Sequence, residues 1–279
     1  MSGHDGVAEF LDAIERDSRS RPTFDFSDAH AYARRPVRLS TGPAREALIC
    51  FPALLALCGP HQFARFSQGF RGIREVLVPH IPGFLAEEKL PASIDVAIAH
   101  QIGALEDAIG PDTPAVLAGY STGGAFAYAL AGRLEAAGRR VHAVVLLDTY
   151  PPGPGGISDE QVSAIVQRLL TNREWQQYLN QTRLTAMGSY LRALRTLDLG
   201  PVKAPTLLLR AGQPMSAAAG DDWRAWWPFP HDTRDVPGDH YSILQLHART
   251  AAQTVERWLQ VTLGDTAQSL TRDQRRASG

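Results

Sequence analysis

Three polar residues of this chain have the types and the order that acyl-transfer chemistry requires. Ser121 lies in GYSTGG at residues 119–124, Asp148 ends the apolar run AVVLLD, and His240 lies in the stretch DVPGDHYSILQLHA. A serine hydroxyl is a weak nucleophile at neutral pH, so a histidine must accept its proton and a carboxylate must orient that histidine. Because chance often produces the pattern GxSxG, a simple turn serine also fits it, and the surrounding elements must decide.

The elements predicted around Ser121 favour a nucleophile. Residues 115–118 (AVLA) are continuously apolar, which is typical of a strand buried on both faces, and residues 123–137 have a helical pattern. A serine between such a strand and helix projects its hydroxyl above the carboxyl edge of a parallel sheet.

The residues beside the serine fit a tight turn and a site that binds an oxyanion. Side chains at Gly119 and Gly123 would collide with the neighbouring strand and helix, and the Thr122 N–H would point toward a reacting carbonyl oxygen. A second N–H is expected from the loop FPALLA after an earlier strand. Pro52 has no N–H, so the candidates are Ala53, Leu54 and Leu55.

The acid has two candidate positions. Asp148 ends the strand that follows the nucleophile's helix, whereas the later strand TLLLRAGQP carries Gln213 where an acid could stand, with Asp221 and Asp222 farther on. We favour Asp148, because its strand would lie beside that of the serine.

Nine histidines compete for the role of the base. His240 follows the last predicted strand, so its loop can carry the ring back over the strand ends in the expected order, serine first and histidine last. His247 is predicted to lie inside the next helix. Others have no comparable setting: His61, His80, His100, His142 and His231.

The elements that must position these residues predict an α/β fold with a mostly parallel, doubly wound sheet. Apolar runs predict strands at 47–51, 75–78, 115–118, 143–147, 206–210 and 233–236. Helical patterns alternate with them, including one at 98–109 with Ser93 as its N-cap. Such strand, helix, strand units place ligands beyond the carboxyl ends of the strands.

Three segments lie outside this alternation. Residues 157–199 hold two consecutive helical patterns, which predict either a lid over the strand ends or a hairpin that only fills the core. Residues 1–44 are predicted to form a helix and a linker before a catalytic domain at 45–263, and residues 264–279 a disordered tail.

Composition excludes several functional classes. A net charge of −1 gives no reason to expect binding to nucleic acid or to an anionic membrane, and no apolar run approaches the length of a membrane span. Two cysteines, Cys50 and Cys58, are too few for a disulfide framework, so we expect a soluble cytoplasmic protein with reduced thiols. No metal or redox cofactor is expected, because there is no ligand cluster or dinucleotide fingerprint.

Three sequence blocks together resemble a known family. ICFPALLALCGPHQFARFSQGFRG, GYSTGGAFAYALAGRLEAAGRRVHAVVLLDTYPPG and VPGDHYSILQLHARTAAQTVERWL are similar to the thioesterase domain of modular type I polyketide synthases, with relatives in non-ribosomal peptide synthetases. The resemblance spans about residues 45–259 and implies the α/β-hydrolase fold. It also implies Asp148 as the acid, which in that family follows the strand after the nucleophile's helix.

The resemblance implies the following function. Ser121 would take a polyketide chain from the phosphopantetheine arm of an acyl carrier protein and release it by hydrolysis or macrolactonisation, without a bound cofactor. The N-terminal helix resembles segments through which such domains form homodimers. The alternatives are a discrete esterase or editing type II thioesterase, or a catalytically silent binding module.

One departure from the family lies in the oxyanion loop. Leu54 stands where a threonine is common, and we still assign the second donor to its N–H. In the lid, an arginine is predicted either to be solvated or to bind an oxygen group of the chain or carrier arm. The predicted substrate-binding residues are Tyr120, Tyr150, Arg183, Tyr190 and Arg192.

Overall fold

The computed structural model describes residues 3–28, 32, 34–110, 113–153, 155–215 and 223–277. The helices are α1 (Gly3–Ser18), α2 (Ile94–Ile109), α3 (Thr122–Ala136), α4 (Asp159–Thr171), α5 (Arg173–Gln176), α6 (Gln181–Leu194) and α7 (Ala248–Ala277). The strands are β1 (Thr23–Phe24), β2 (Val37–Ser40), β3 (Ala47–Phe51), β4 (Val76–Val78), β5 (Leu90–Pro91), β6 (Ala115–Tyr120), β7 (Ala143–Leu147), β8 (Thr206–Ala211) and β9 (Asp232–Val236).

Seven of these strands form one sheet in the order β2, β4, β3, β6, β7, β8, β9. Strand β2 pairs antiparallel with β4, and each remaining neighbour is parallel. Strand β6 lies at the centre between β3 and β7, so the carboxyl ends of β6, β7 and β8 meet at one edge. The predicted doubly wound sheet is confirmed.

The central strands are apolar along their whole length because both of their faces are buried. On one face Ile49, Leu117 and Leu146 pack in a cluster with side chains of α2, α3 and α6. The alternate residues, including Leu48 and Val145, pack on the other face against α7. This explains why the predicted strands read as continuous apolar runs.

The segment predicted as a linker before Arg45 contains a strand of the main sheet. Strand β2 lies in the predicted linker, yet it forms the antiparallel edge of the main sheet, and β1 pairs with β5. The first three residues of β2 are exposed or only half-buried, so the strand lacks the apolar run by which the others were found. Edge strands commonly have this composition, because only part of their surface is buried.

The predicted lid insertion contains three helices with different surroundings. Helix α4 begins with a capping box formed by Ser158 and Gln161. Helices α4 and α5 contribute Ile165, Leu169 and Trp175 to the wall of a cavity. Helix α6 instead packs on the core. The two alternatives predicted for this segment therefore each describe a part of it.

Helix α1 packs against α6 of the same chain. Its apolar face includes Ile14, which is buried in a cluster with Met187 of α6 and Ala56 of the loop after β3. Because this face is already covered within the chain, a dimer contact through α1 would have to use its polar face.

The C-terminal segment differs from the prediction of a disordered tail. Helix α7 continues through residues 264–277, while residues 278 and 279 lie outside the described part. The segment has no apolar face, but it also contains no proline, so the backbone continues from the packed first half of the helix.

Neither a membrane-crossing helix nor a metal-binding cluster is present in the described part of the chain. No helix there is long and apolar enough to cross a membrane, and no group of His, Cys, Asp and Glu side chains is arranged to hold a metal ion.

Candidate active site

Ser121 occupies a strained turn between β6 and α3. Its backbone has φ 55° and ψ −127°, a left-handed conformation that non-glycine residues rarely adopt. The prediction that Gly119 and Gly123 must lack side chains is confirmed. A Cβ at Gly119 would lie 2.1 Å from the Gly123 carbonyl oxygen, and one at Gly123 would lie 2.3 Å from the Pro52 oxygen.

The strain coincides with the candidate chemistry. Among the described residues, the non-glycine residues with positive φ are Glu87, Ser121 and Asp148. Both Ser121 and Asp148 lie at carboxyl ends of neighbouring strands, and the Ser121 N–H donates to the Leu147 oxygen at 3.0 Å. Strained backbone of this kind persists where the surrounding structure holds a functional group in place.

Asp148 and His240 form a buried pair. His240 Nδ1 lies 2.7 Å from Asp148 Oδ2, and each residue is only 2% exposed. The other oxygen, Asp148 Oδ1, accepts the Ala211 N–H at 2.9 Å. The carboxylate is thus held at the end of β8 and orients the imidazole so that Nε2 is left for a reacting group.

Tyr120 supports His240 from the residue before the serine. Its ring stacks on the imidazole at 4.9 Å between centroids, and its hydroxyl donates to the His240 carbonyl at 2.6 Å. Burial, and after it the negative charge of Asp148, raise the pKa of Tyr120 well above its usual value, so the hydroxyl stays protonated. Tyr120 therefore fixes both the ring and the backbone of His240.

The loop that carries His240 is held by the preceding residue. Asp239 Oδ1 accepts the N–H groups of Tyr241 and Ser242 at 3.1 and 2.7 Å and the Ser242 hydroxyl at 2.7 Å. Burial raises the pKa of this carboxyl, but the bonds from Ser242 outweigh it and the pKa is lowered overall. The charged carboxylate thus caps the turn.

The predicted oxyanion loop lies against the start of α3, and two of its N–H groups are already bonded. The Ala53 N–H donates to Gln62 Oε1 at 2.9 Å. The Leu54 N–H donates to the Thr122 hydroxyl oxygen at 2.8 Å. The loop therefore meets the residue after Ser121 through a side chain, which the sequence prediction had not considered.

A cavity of about 530 Å³ opens beside His240. Its walls are mainly apolar, and they come from the oxyanion loop, α4, α5 and the loop before α7: Leu55, Leu57, Ile165, Leu169, Trp175 and Leu246. Tyr120 and His240, both buried, also line it. The space suits an acyl chain that reaches the buried pair.

Three of the predicted substrate-binding residues hold helix α6 in place instead. Arg183 donates to the carbonyls of Ala56 and Cys58, and Arg192 donates to the Ser18 hydroxyl. Tyr190 is 1% exposed in the core. Their polar groups bond to neighbouring elements, and none of the three lines this cavity.

The remaining candidates are placed as follows. Tyr150 donates to the Trp223 carbonyl and accepts from Gln161, which links β7 to α4 outside the cavity. His247 precedes α7 and lines the cavity, while the histidine bonded to Asp148 is His240. The alternative acids Asp221 and Asp222 lie outside the described residues.

Sequence reasoning missed Arg168, the arginine of the insertion that faces the cavity. Its guanidinium carbon lies 4.1 Å from the centre of the Tyr241 ring, and no ion pair joins it to a carboxylate in the described part of the chain. Its position in α4, one turn after Ile165 and beside Leu169 on the same helix, was a usable signal.

Comparison with known proteins agrees with this geometry. The family model for the thioesterase domain matches residues 46–259. Polyketide synthase GfsE of Streptomyces halstedii is 39% identical over 258 residues, which are 90% of this chain and 7% of the synthase. Erythronolide synthase EryA3 of Saccharopolyspora erythraea is 37% identical over 253 residues, 91% of this chain and 8% of the synthase. The chain thus spans less than a tenth of the length of these relatives, and the predicted resemblance is confirmed.

Solved structures show the same fold at low identity. The type II thioesterase YbtT from the yersiniabactin pathway has a TM-score of 0.61 at 21% identity, covering 82% of this chain and 100% of YbtT. The Vlm2 thioesterase domain has a TM-score of 0.59 at 19% identity, covering 82% and 98%. Because the family model covers most of its length, this chain belongs to the thioesterase domain family and has the α/β-hydrolase fold.

Proposed function

We propose that this chain is a serine thioesterase that releases an acyl chain from the phosphopantetheine arm of an acyl carrier protein. The observation that carries the proposal is the buried 2.7 Å contact between His240 and Asp148, beside the strained turn of Ser121. In this arrangement Ser121 is the nucleophile, His240 the general base and Asp148 the residue that orients it.

Acylation proceeds in two moves. Ser121 Oγ attacks the thioester carbonyl carbon as its proton passes to His240 Nε2, and the carbonyl electron pair moves onto oxygen. The carbon–sulfur bond then breaks, and the thiol leaves with the proton from His240. A thiol has a pKa of about 8.5, far below that of an amine, so this step makes a light demand on His240 as an acid.

Release of the chain from Ser121 follows the same steps, with an oxygen nucleophile attacking the ester. His240 takes a proton from water, or from a hydroxyl of the bound chain, and that oxygen attacks the carbonyl carbon of the Ser121 ester. The bond from this carbon to Ser121 Oγ then breaks, the carbonyl re-forms, and Oγ takes the proton back from His240. Water gives an acid and the internal hydroxyl gives a lactone. The apolar cavity walls favour the second route when they fold the chain and limit access of water.

The polyketide part of the proposal is supported by the relatives, which are polyketide synthases matched over nearly the whole chain. Editing of stalled carriers is the second candidate, supported by the likeness in fold to type II thioesterases. No bound cofactor enters either reaction. A homodimer is also proposed, through a surface other than the covered face of α1.

The test uses a synthetic hydroxyacyl pantetheine thioester and intact-protein mass spectrometry. We expect an acyl adduct on the wild-type protein and on Ser20→Ala, an exposed serine after α1, but none on Ser121→Ala. Separation of the free acid from the lactone then identifies the release route. An adduct that persists on Ser121→Ala contradicts the proposal, and faster turnover of short acetyl carriers favours editing.

A second prediction concerns Arg168, whose guanidinium faces the cavity and makes no direct ion pair in the described structure, although its charge acts on the nearby Asp239 carboxylate. Replacement by methionine keeps the stem and removes the charge. We expect KM to rise by about 10-fold for an acyl thioester that ends in a carboxylate, with kcat unchanged. The measurement compares that substrate with its methyl ester, using Arg173→Met on α5 as control. An equal rise for both substrates contradicts a charge contact.

A further inference from the structure

The residue after the nucleophile brings a second polar group to the oxyanion site. Thr122 is the first residue of α3, so its backbone N–H has no acceptor within the helix. Its side chain accepts the Leu54 N–H at 2.8 Å. The hydroxyl is therefore close to both backbone N–H groups, of Thr122 and Leu54, that the sequence predicts as oxyanion donors.

The other N–H groups of the loop are limited in what they can do. Pro52 has none, and the Ala53 N–H is bonded to Gln62. The Leu54 N–H reaches the site only through the hydroxyl of Thr122, and the apolar side chain of Leu54 supplies no donor of its own. The direct backbone donor predicted at Leu54 is thus engaged in this conformation.

The bonding of the hydroxyl leaves its proton available. A threonine hydroxyl has one proton to donate and two lone pairs to accept with. One lone pair accepts from Leu54, and no acceptor for the proton is found among the described residues. Accepting one hydrogen bond polarises the O–H and makes it a stronger donor, particularly where water is scarce.

We propose that the Thr122 hydroxyl is the second donor of the oxyanion hole, with the Leu54 N–H polarising it from behind. This rests on the proposed function of Ser121. As Ser121 Oγ bonds to the carbonyl carbon and its proton passes to His240, the carbonyl electron pair becomes an oxyanion. That oxygen accepts from the Thr122 N–H and the Thr122 O–H, and both bonds relax when the pair re-forms the carbonyl and the thiol leaves.

The test separates the hydroxyl from the shape of the side chain. Thr122→Val keeps the branched shape without the hydroxyl, Thr122→Ala removes both, and Thr122→Ser keeps the hydroxyl. Loss of one oxyanion donor typically costs about 10²-fold to 10³-fold in kcat, so we expect losses in that range for valine and alanine. Serine is expected to recover at least about a tenth of wild-type kcat. Thr171→Val, an exposed threonine at the end of α4, is the matched control.

Two readouts distinguish a donor from a merely structural residue. Hydrolysis of p-nitrophenyl butyrate reports the chemistry of Ser121 whatever the natural acyl chain is, so failure on polyketide thioesters leaves this test intact. A boronic acid that forms a charged adduct with Ser121 should bind the valine variant more weakly by about the factor lost in kcat, while KM changes little.

The opposite result has a clear meaning. If valine and alanine hydrolyse the ester as fast as the wild type or faster, the hydroxyl only occupies the Leu54 N–H at rest and the proposal is overturned. It is also overturned if the serine variant loses as much kcat as valine, or if boronate affinity does not change.

Discussion

Replacing Ser121 with alanine is expected to reduce kcat for thioester turnover by about 10⁵-fold to 10⁶-fold, the largest effect of any single change in this chain. The substitution removes only the hydroxyl group, whose oxygen forms the covalent bond to the acyl chain. Because alanine keeps the Cβ, the strained backbone at φ 55° is unchanged and the melting temperature should stay close to that of the wild type. Thiol release measured with a chromogenic disulfide checks the rate.

Ser121→Gly is the matched variant for the strain. Glycine adopts positive φ without steric cost, which offsets its greater loss of backbone entropy on folding. We therefore expect it to be as inactive as alanine and to unfold at an equal or higher temperature. Residual turnover within about 100-fold of wild type in either variant would mean that another nucleophile carries the reaction.

Asp148→Asn is expected to lower kcat by about 10⁴-fold. Both carboxylate oxygens accept hydrogen bonds, one from Ala211 N–H and one from His240 Nδ1. Asparagine has one acceptor oxygen, so when that oxygen bonds to Ala211 its NH₂ group faces His240 Nδ1. This arrangement selects the tautomer with the proton on Nε2, which cannot accept the proton of Ser121.

The same substitution should lower the free energy of unfolding by about 1–3 kcal/mol, since the buried hydrogen bond from His240 to a charged carboxylate is replaced by a weaker one between neutral groups. Urea unfolding and ester hydrolysis measure the two effects. Asp235→Asn removes an exposed partner of Arg210 at the end of β9 and should leave activity unchanged. If Asp148→Asn stays within tenfold of wild-type kcat, the acid is elsewhere, and Asp221 and Asp222 become the residues to replace.

The site was predictable from the sequence where local rules decide the structure. The turn around Ser121 needs small residues at Gly119 and Gly123, and a Cβ at either would collide with backbone. Asp148 and His240 follow strands whose ends must meet in a parallel sheet, so chain order alone places them at one edge.

The roles of the residues in the 157–199 insertion were predicted less well, because their contacts are made with elements that are distant in the chain. Arg192 bonds to Ser18 and Arg183 bonds to Ala56, contacts across more than a hundred residues. Helical periodicity identified which residues share a face of α6 but not which element covers that face. Arg168 was missed for the same reason, although it lies on the helix that lines the cavity.

By itself, the sequence determined the fold class, the strained turn of Ser121 and the order of serine, acid and histidine, because apolar runs, glycine sterics and chain order are local properties. Tertiary structure alone decided three further features. It determined that β2 forms the antiparallel edge of the sheet, that α4 and α5 rather than α6 line the cavity, and that the Leu54 N–H bonds to Thr122. Each depends on long-range packing or on the distance between two loops, because a hydrogen bond forms only within a range of a few tenths of an ångström.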